Sequence, residues 1–236
     1  MTVYVCGASG YIGSNLLAMY PECSPVRRGE VPYCLKGDAV INLAAYGHQP
    51  GQDDLDTMVE VNTLYPIRLR REIPRSITMV QACSSSERDD PGTQYAKTKS
   101  LASRSLEGKA TLAYIYTPFG GINEPLTRFM AMLIKTAREG GVFHVETPGA
   151  MRDLIHVRHV CEGLMSLAVE GFPRVEAHLG GGQAQFHDVI AMKASEMAGG
   201  RMAVTRGDSR GKTLYPAPKP HIPCDPVEDL RGEICG

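Results

Sequence analysis

Val3-Tyr4-Val5-Cys6-Gly7-Ala8-Ser9-Gly10-Tyr11-Ile12-Gly13-Ser14-Asn15-Leu16-Leu17-Ala18-Met19 decides the fold. Its first four residues are apolar and strand-forming, its last six are helix-like, and the glycines fall between them at every third position. Strand, glycine turn and helix in that order suit a dinucleotide pyrophosphate. Gly7 allows the tight turn, Gly10 lets backbone N–H groups approach the phosphates, and Gly13 lets the helix pack close to the strand. The helix N-terminus then faces the anion. Ser9, Tyr11 and Ile12 complete the expected cofactor cradle. Three glycines alone are a weak signal; their place between a strand and a helix carries the inference. A structural glycine turn without a ligand is the bland alternative.

Outward from this turn, strands and helices alternate. Pro25-Val26-Arg27-Arg28 reads as the end of a short second strand. Ala39-Val40-Ile41-Asn42-Leu43-Ala44-Ala45 reads as a buried strand. Residues 53–73 carry apolar side chains at helical spacing, with Pro66 expected to kink or split the helix. Strands follow at 77–83 and 111–116, with a helix at 93–106 between them. Further on, the pattern gives a helix at 129–139 and a strand at 142–145, and Met151-Arg152-Asp153 precedes Leu154-Ile155-His156-Val157. Such alternation predicts parallel βαβ units in a Rossmann-type doubly wound α/β sheet, with ligands outside the carboxyl ends of the strands. The expected division is a Rossmann core over residues 1–120 that carries the catalytic residues. Residues 121–236 then form mainly a smaller substrate-binding subdomain and tail, with strands returning to the core. Only ten residues separate Arg28 from Ala39, too few for a full strand-and-helix crossover, so one βα unit is missing there.

Composition narrows the function. The 236 residues carry 25 Lys+Arg against 26 Asp+Glu, a net charge of −1, which offers no general pull on nucleic acid or an anionic membrane. Hydrophobic residues make up 43% of the chain, enough for an ordinary core. No apolar run nears the roughly 18 residues of a membrane helix, and the first residues lack the features of a signal peptide. Seven cysteines, odd in number and without CxxC pairing, fit reduced thiols in a cytoplasmic protein with neither a disulfide framework nor a metal site. The methionines at 130, 132, 192 and 197 fall on apolar helical faces and are expected in the core. The stretch Tyr215-Pro216-Ala217-Pro218-Lys219-Pro220 reads as an extended surface segment, in a tail from Lys212 that wraps the surface or covers the site.

Two further patterns carry chemistry. Arg27 and Arg28 follow the second strand, where a carboxylate would suit the ribose 2′-OH of NAD and an arginine the 2′-phosphate of NADP. The pair favours NADP, with NAD the alternative if Glu30 or the backbone holds a 2′-OH. Tyr95 and Lys99 stand at i,i+4 on one helix face. A phenol is a poor acid or base near pH 7, and a neighbouring ammonium lowers its pKa. Lys99 is also in a position to hold the nicotinamide ribose. Ser84-Ser85-Ser86 follows a strand and offers a hydroxyl to a carbonyl or alkoxide.

Taken in order, Gly7-Ala8-Ser9-Gly10-Tyr11-Ile12-Gly13, Asn42-Leu43-Ala44-Ala45, Asn62, Ser84-Ser85-Ser86-Glu87, Tyr95-x-x-x-Lys99 and Arg152-Asp153-Leu154-Ile155-His156-Val157 resemble the extended short-chain dehydrogenases/reductases. These are the NAD(P)-dependent epimerase/dehydratase enzymes of nucleotide-sugar metabolism, and the resemblance spans roughly residues 2–200. It implies Tyr95 as acid/base, Lys99 as its partner and ribose anchor, and one serine as carbonyl donor. It also implies cofactor contacts from Leu43, Ala44, Ala45 and Asn62, and an Arg152 grip on a sugar diphosphate. Gln81-Ala82-Cys83-Ser84-Ser85-Ser86-Glu87 is similar to a stretch of GDP-mannose 4,6-dehydratases. That register selects Ser85 as the donor and Glu87 as a catalytic carboxylate. Ser86, His48 and Arg128 are expected to touch substrate, and His156 to be structural. Val175 to Gly182 resembles a late strand and glycine turn of the family, and a homodimer through the helices at 53–73 and 93–106 is implied.

Three departures stand out: a short Arg88-Asp89-Asp90-Pro91-Gly92 loop, Tyr114-Ile115-Tyr116-Thr117-Pro118 without the family's Asn, and a short chain. The reading that results is an NADP-linked oxidoreductase on a nucleotide-activated sugar, of 4-ketoreductase or epimerase type. A 4,6-dehydratase using Glu87 and a non-catalytic NADP-binding sensor are the alternatives. In the bland readings, Glu87 pairs with Arg88 at the surface and Arg152 pairs with Asp153 or a helix carboxylate.

Overall fold

The computed structural model describes residues 1–170, 176–209 and 215–236. They form two compact units, Met1–Ile115 with Cys161–His178, and Tyr116–Val160 with Leu179–Gly236. The first break thus falls at Ile115 rather than after residue 120, and the segment returning to the first unit is Cys161–His178. Along the chain run β1 (Val3–Cys6), α1 (Tyr11–Met19), β2 (Ser24–Val26), β3 (Ala39–Asn42), α2 (Leu55–Val59), α3 (Tyr65–Glu72), β4 (Thr78–Ser84), α4 (Ser86–Asp89), α5 (Gln94–Leu106) and β5 (Thr111–Ile115). They are followed by β6 (Thr117–Phe119), α6 (Phe129–Glu139), β7 (Gly141–Val145), β8 (Met151–His156), α7 (Val157–Val169), β9 (Glu176–Leu179), β10 (Ala184–Phe186), α8 (His187–Met197), β11 (Met202–Arg206) and α9 (Pro226–Cys235).

Among the described residues, one sheet of six strands runs in the order β2-β1-β3-β4-β5-β9. β1 pairs in parallel with both β2 and β3, β3 with β4, and β4 with β5. This is the order of a doubly wound sheet lacking the strand that would lie outside β2. The chain moves from β1 to β2 on one side and then to β3 on the other. The switch point, where ligands bind in such sheets, therefore lies at the carboxyl ends of β1 and β3. β3 is buried at all four positions, as a central parallel strand must be. β2 is short and carries an exposed Pro25, which blunts the sheet edge. Residues 27–38 hold turns in place of the missing crossover, and Asp38 closes them by accepting the N–H groups of Thr2 and Leu35 at 2.8 Å each.

Pro66 does not split its helix. A π-helical turn, Glu60–Leu64, joins α2 to α3, and the Tyr65 N–H reaches Glu60 O. The N–H that Pro66 lacks falls just where the ladder widens, so no carbonyl clash arises.

In the second unit, β10-β8-β6 and β11-β7 form two small sheets. With α6, α8 and α9 they enclose Phe119, Leu133, Phe143, Leu154, Ile190 and Leu230. Met130 lies in this core and Met197 against it, as expected, but Met132 and Met192 are exposed. α9 is an element that the Pro-rich tail did not announce; Asp225 caps it by accepting the Val227 N–H at 2.9 Å, with Pro226 in the first turn. The tail is pinned within this unit, where the Ala217 N–H donates to Asp153 at 2.7 Å. Val175 and the tail residues 212–214 lie outside the described residues.

Candidate active site

Gly7 leaves β1 with φ +76, and a Cβ there would stand 2.6 Å from Ala44 N and 2.7 Å from Leu43 C. Gly13 is as constrained: its Cβ would lie 2.3 Å from Gly7 O. These two glycines bring α1, the turn and the end of β3 to backbone contact. Gly10 differs, with only Gly7 O at 3.3 Å. It is the N-cap of α1 in extended conformation, makes no side-chain cap bond, and no acidic residue follows in the first turn. Ser9 and Gly10 are exposed, and Tyr11 and Ile12 half-buried. The other wall is Leu43-Ala44-Ala45, where the Ala44 N–H donates to Asn42 Oδ1 at 3.2 Å and Asn42 is held by Gln81 at 2.8 Å. A helix N-terminus without a side-chain cap bond, packed through glycines against β1 and the end of β3, fits a dinucleotide pyrophosphate.

Arg27 and Arg28 stand exposed just after β2. Their turn is tied to α3: Tyr65 Oη donates to Glu30 O at 2.8 Å, and Arg68 Nη2 to Gly29 O at 3.0 Å.

Asn62 is 1% exposed, in the π-helical turn. Its Oδ1 accepts the Tyr46 N–H at 2.9 Å, and its Nδ2 donates to Tyr46 O at 2.8 Å and Thr98 Oγ1 at 3.0 Å. Both amide hydrogens are used, and they tie the loop after β3 to α5.

That loop carries His48. Gln52 Oε1 accepts the N–H groups of Gly47 at 3.0 Å and Gln49 at 3.3 Å, bracketing His48 on both sides. The exposed imidazole stands 5.3 Å from the Tyr95 ring, centroid to centroid. Tyr95 and Lys99 rise from α5, whose N-cap Thr93 accepts the Ala96 N–H at 3.2 Å. Lys99 is 3% exposed and donates from Nζ to Ala82 O at 2.5 Å. Burial raises the Tyr95 phenol above its ordinary value of 10 despite Lys99, which pulls it down as the spacing implies. Glu87 and Cys83 push it further up, and a hydrogen bond with Ser84 pulls it down.

Of the three serines, Ser84 is the one that acts on the Tyr95 phenol. Ser85 is 5% exposed, turned in where its N–H donates to Ile115 O at 3.1 Å. The half-buried Ser86 donates its N–H to Ser84 Oγ at 3.2 Å. Glu87 is also placed differently from either sequence reading. Its Oε1 accepts the Ser84 N–H at 2.7 Å and its Oε2 the Ser103 hydroxyl at 2.6 Å. Arg88 turns away to Glu176, 2.5 Å, and lies 4.3 Å from the Tyr114 ring centre. Ser103 is thus a site residue that sequence reasoning missed, whereas Ser84 was one of the three serines it offered. The recurrence Tyr95, Lys99, Ser103 at every fourth residue was the available signal for Ser103.

Arg128 and Arg152 belong to the second unit. Arg128 lies 3.7 Å from Glu124. Arg152 donates to Met151 O at 2.8 Å, and does not pair with Asp153, which faces the other way along β8. The Asp153 carboxylate accepts the N–H groups of Gly181 at 2.6 Å, Gly182 at 3.1 Å and Ala217 at 2.7 Å, and its burial raises its pKa. His187, stacked 4.1 Å from Phe129, is pushed down to about 4 by burial and by Arg152. His156 is structural: its Nε2 meets Glu233 at 2.8 Å. Among the described residues, no three His, Cys, Asp or Glu side chains are gathered to hold a metal, and no helix is long and apolar enough to cross a membrane.

No family model and no curated protein sequence matches the chain. Its fold, however, is that of NAD(P)-dependent nucleotide-sugar enzymes, in agreement with the resemblance carried by the motifs. A dTDP-4-dehydrorhamnose reductase from Clostridium acetobutylicum superposes with a TM-score of 0.78 at 15% identity, over 100% of this chain and 99% of that one. RMD from Pseudomonas aeruginosa, solved with NADPH, gives 0.77 at 17% identity, over 99% and 97%. MoeE5, solved with UDP-glucose and NAD, gives 0.73 at 21% identity, again over 99% and 97%.

Proposed function

We propose that this chain is an enzyme of the extended short-chain dehydrogenase/reductase family, an NADP-linked oxidoreductase that acts on a nucleotide-activated sugar as a 4-ketoreductase or epimerase, the reductase preferred. The observation that carries it is the Tyr95 phenol on α5, one helical turn from a buried Lys99 and beside Ser84 at the end of β4. Carbonyl reduction needs an acid at the oxygen; a phenol is protonated at neutral pH, and Lys99 pulls its pKa down against the upward push of burial. A bound NADPH supplies the hydride. Tyr95 gives its proton to the developing alkoxide, Ser84 donates a hydrogen bond to the same oxygen, and Lys99 stabilises the phenolate left behind until solvent returns the proton.

Gly7, Gly10 and Gly13 with Leu43 to Ala45 form the cofactor cradle, and Arg27 and Arg28 take the 2′-phosphate, which favours NADP over NAD. His48 and Ser86 border the sugar; in the second unit, the guanidiniums of Arg128 and Arg152 suit a bidentate grip on a diphosphate. The dehydratase alternative loses ground because both Glu87 oxygens already accept hydrogen bonds from the protein. A homodimer through α2–α3 and α5 is supported by Leu64 and Leu101, which are 50% and 53% exposed on those elements. Seven free thiols suit a cytoplasmic setting. The neighbours named above, solved with NADPH or with UDP-glucose and NAD, support the cofactor and substrate classes.

The test is NADPH oxidation against a panel of nucleotide-linked 4-keto sugars. Tyr95→Phe should cut turnover by about 10²–10⁴ while leaving NADPH binding intact. Unimpaired turnover in that variant would refute the assignment.

A further inference from the structure

We propose that Glu87 and Ser103 form a clamp that sets the Ser84 hydroxyl against the Tyr95 phenol, with Glu87 acting through position and not as a proton donor to substrate. This rests on the hydride-transfer reading above. Tyr95, Lys99 and Ser103 lie along one face of α5. Ser103, 4% exposed, donates to Glu87 Oε2 at 2.6 Å, and Glu87 Oε1 accepts the Ser84 N–H at 2.7 Å. Ser84 in turn lies near enough to the Tyr95 phenol to pull its pKa down. The connections close a ring: helix face, carboxylate, turn, phenol and back to the same helix face. Two charge-assisted bonds therefore set where Ser84 meets Tyr95.

Neighbouring groups reinforce the ring. Cys83 Sγ lies 3.2 Å from Ser103 Oγ. Burial keeps the thiol protonated by pushing it up to about 12. On the outer side of α4, Arg88 is fastened to Glu176 and Tyr114.

Glu87→Ala, Glu87→Gln, Ser103→Ala and the double alanine variant are compared in two ways. The first needs no substrate: amide exchange at Ser84 and the NMR signal of the Tyr95 ring, assigned with Tyr95→Phe. Both alanine variants should speed Ser84 exchange and shift the Tyr95 signal, Glu87→Gln less so. The double variant should go no further than Glu87→Ala. The second is turnover. Each alanine variant should lower kcat by about 10²-fold, the scale of a misplacement of about 1 Å, with little change in KM. Glu87→Gln should lose a smaller factor and keep both limbs of its pH profile. Ser103→Ala with unchanged Ser84 exchange, Tyr95 signal and kcat would overturn the clamp. So would a Glu87→Gln variant as inactive as Glu87→Ala beside an active Ser103→Ala, which would assign the carboxylate to proton transfer. The expected NMR changes in a protein that transfers no hydride would uphold the clamp and refute the functional reading alone.

Discussion

Gly13→Ala tests the cradle at its tightest point. The added methyl would lie 2.3 Å from Gly7 O and 2.8 and 2.9 Å from the Ala8 Cα and C atoms. All three are backbone, so none can swing aside, and α1 must slide away from β1. Helix propensity works in the opposite direction, since alanine is favoured over glycine inside a helix by about 1 kcal/mol. Overpacking a tight contact costs about 1–3 kcal/mol and at this distance sits at the top of that range. The net loss is about 2 kcal/mol, or about 4–8 °C in Tm for a chain of this size. Gly10→Ala is the control. Its Cβ meets only Gly7 O at 3.3 Å, and alanine is a modestly poorer N-cap, so the stability cost stays below about 1 kcal/mol. Its methyl nevertheless projects beside the uncapped N–H groups of α1. Thermal unfolding and NADPH titration of both variants separate the roles: Gly13→Ala should lose stability and binding, Gly10→Ala mainly binding. A Gly13→Ala protein that melts at or above the wild-type temperature would refute the reasoning, since propensity alone would then govern the position.

Replacing Arg27 and Arg28 together with alanine should erase most of a preference for NADPH over NADH without lowering Tm, because both side chains are exposed; equal affinity for the two cofactors in the unaltered protein would refute the assignment. Light scattering at micromolar concentration should show a dimer that Leu64→Glu and Leu101→Glu disrupt, and a monomeric wild type would exclude that assembly.

The strands and helices of the first unit are legible because their patterns are local. β1, β3, β4 and β5 are short apolar runs, and α5 starts where Thr93 can cap it. What escapes is decided by distant partners. The π-helical turn depends on where Pro66 falls in the ladder, and the Asn62 side chain on Tyr46 and Thr98, sixteen and thirty-six positions away. α9 was hidden because its start follows a Pro-rich run that breaks the periodicity. Met132 and Met192 show the limit of apolar spacing, which gives a face without saying what covers it. In the serine cluster, motif register selects Ser85, which is 5% exposed with its N–H on Ile115 O, while Ser84 is the serine that acts on the Tyr95 phenol. A one-residue shift at a strand end exchanges the two faces, and nothing in three consecutive serines marks which one it is.

The same distinction explains how a short chain supports a site of this kind. It lacks a crossover after β2 and carries only a brief segment before α5, and at both places side chains tie down what a longer segment would otherwise have to position. Residues 27–30 are fixed by Tyr65 and Arg68 from α3, both donating to backbone carbonyls. The β4–α5 turn is fixed by Glu87 to Ser103 and Arg88 to Glu176. A shorter loop costs less entropy to close, but it is stiffer, so its geometry must be set by specific bonds and cannot be averaged over many conformers. Deleting a loop is therefore compatible with a working constellation only where the flanking helices supply donors and acceptors at the right turn. Here α3 and α5 each do so, from positions one or two turns beyond the residues that the motifs single out.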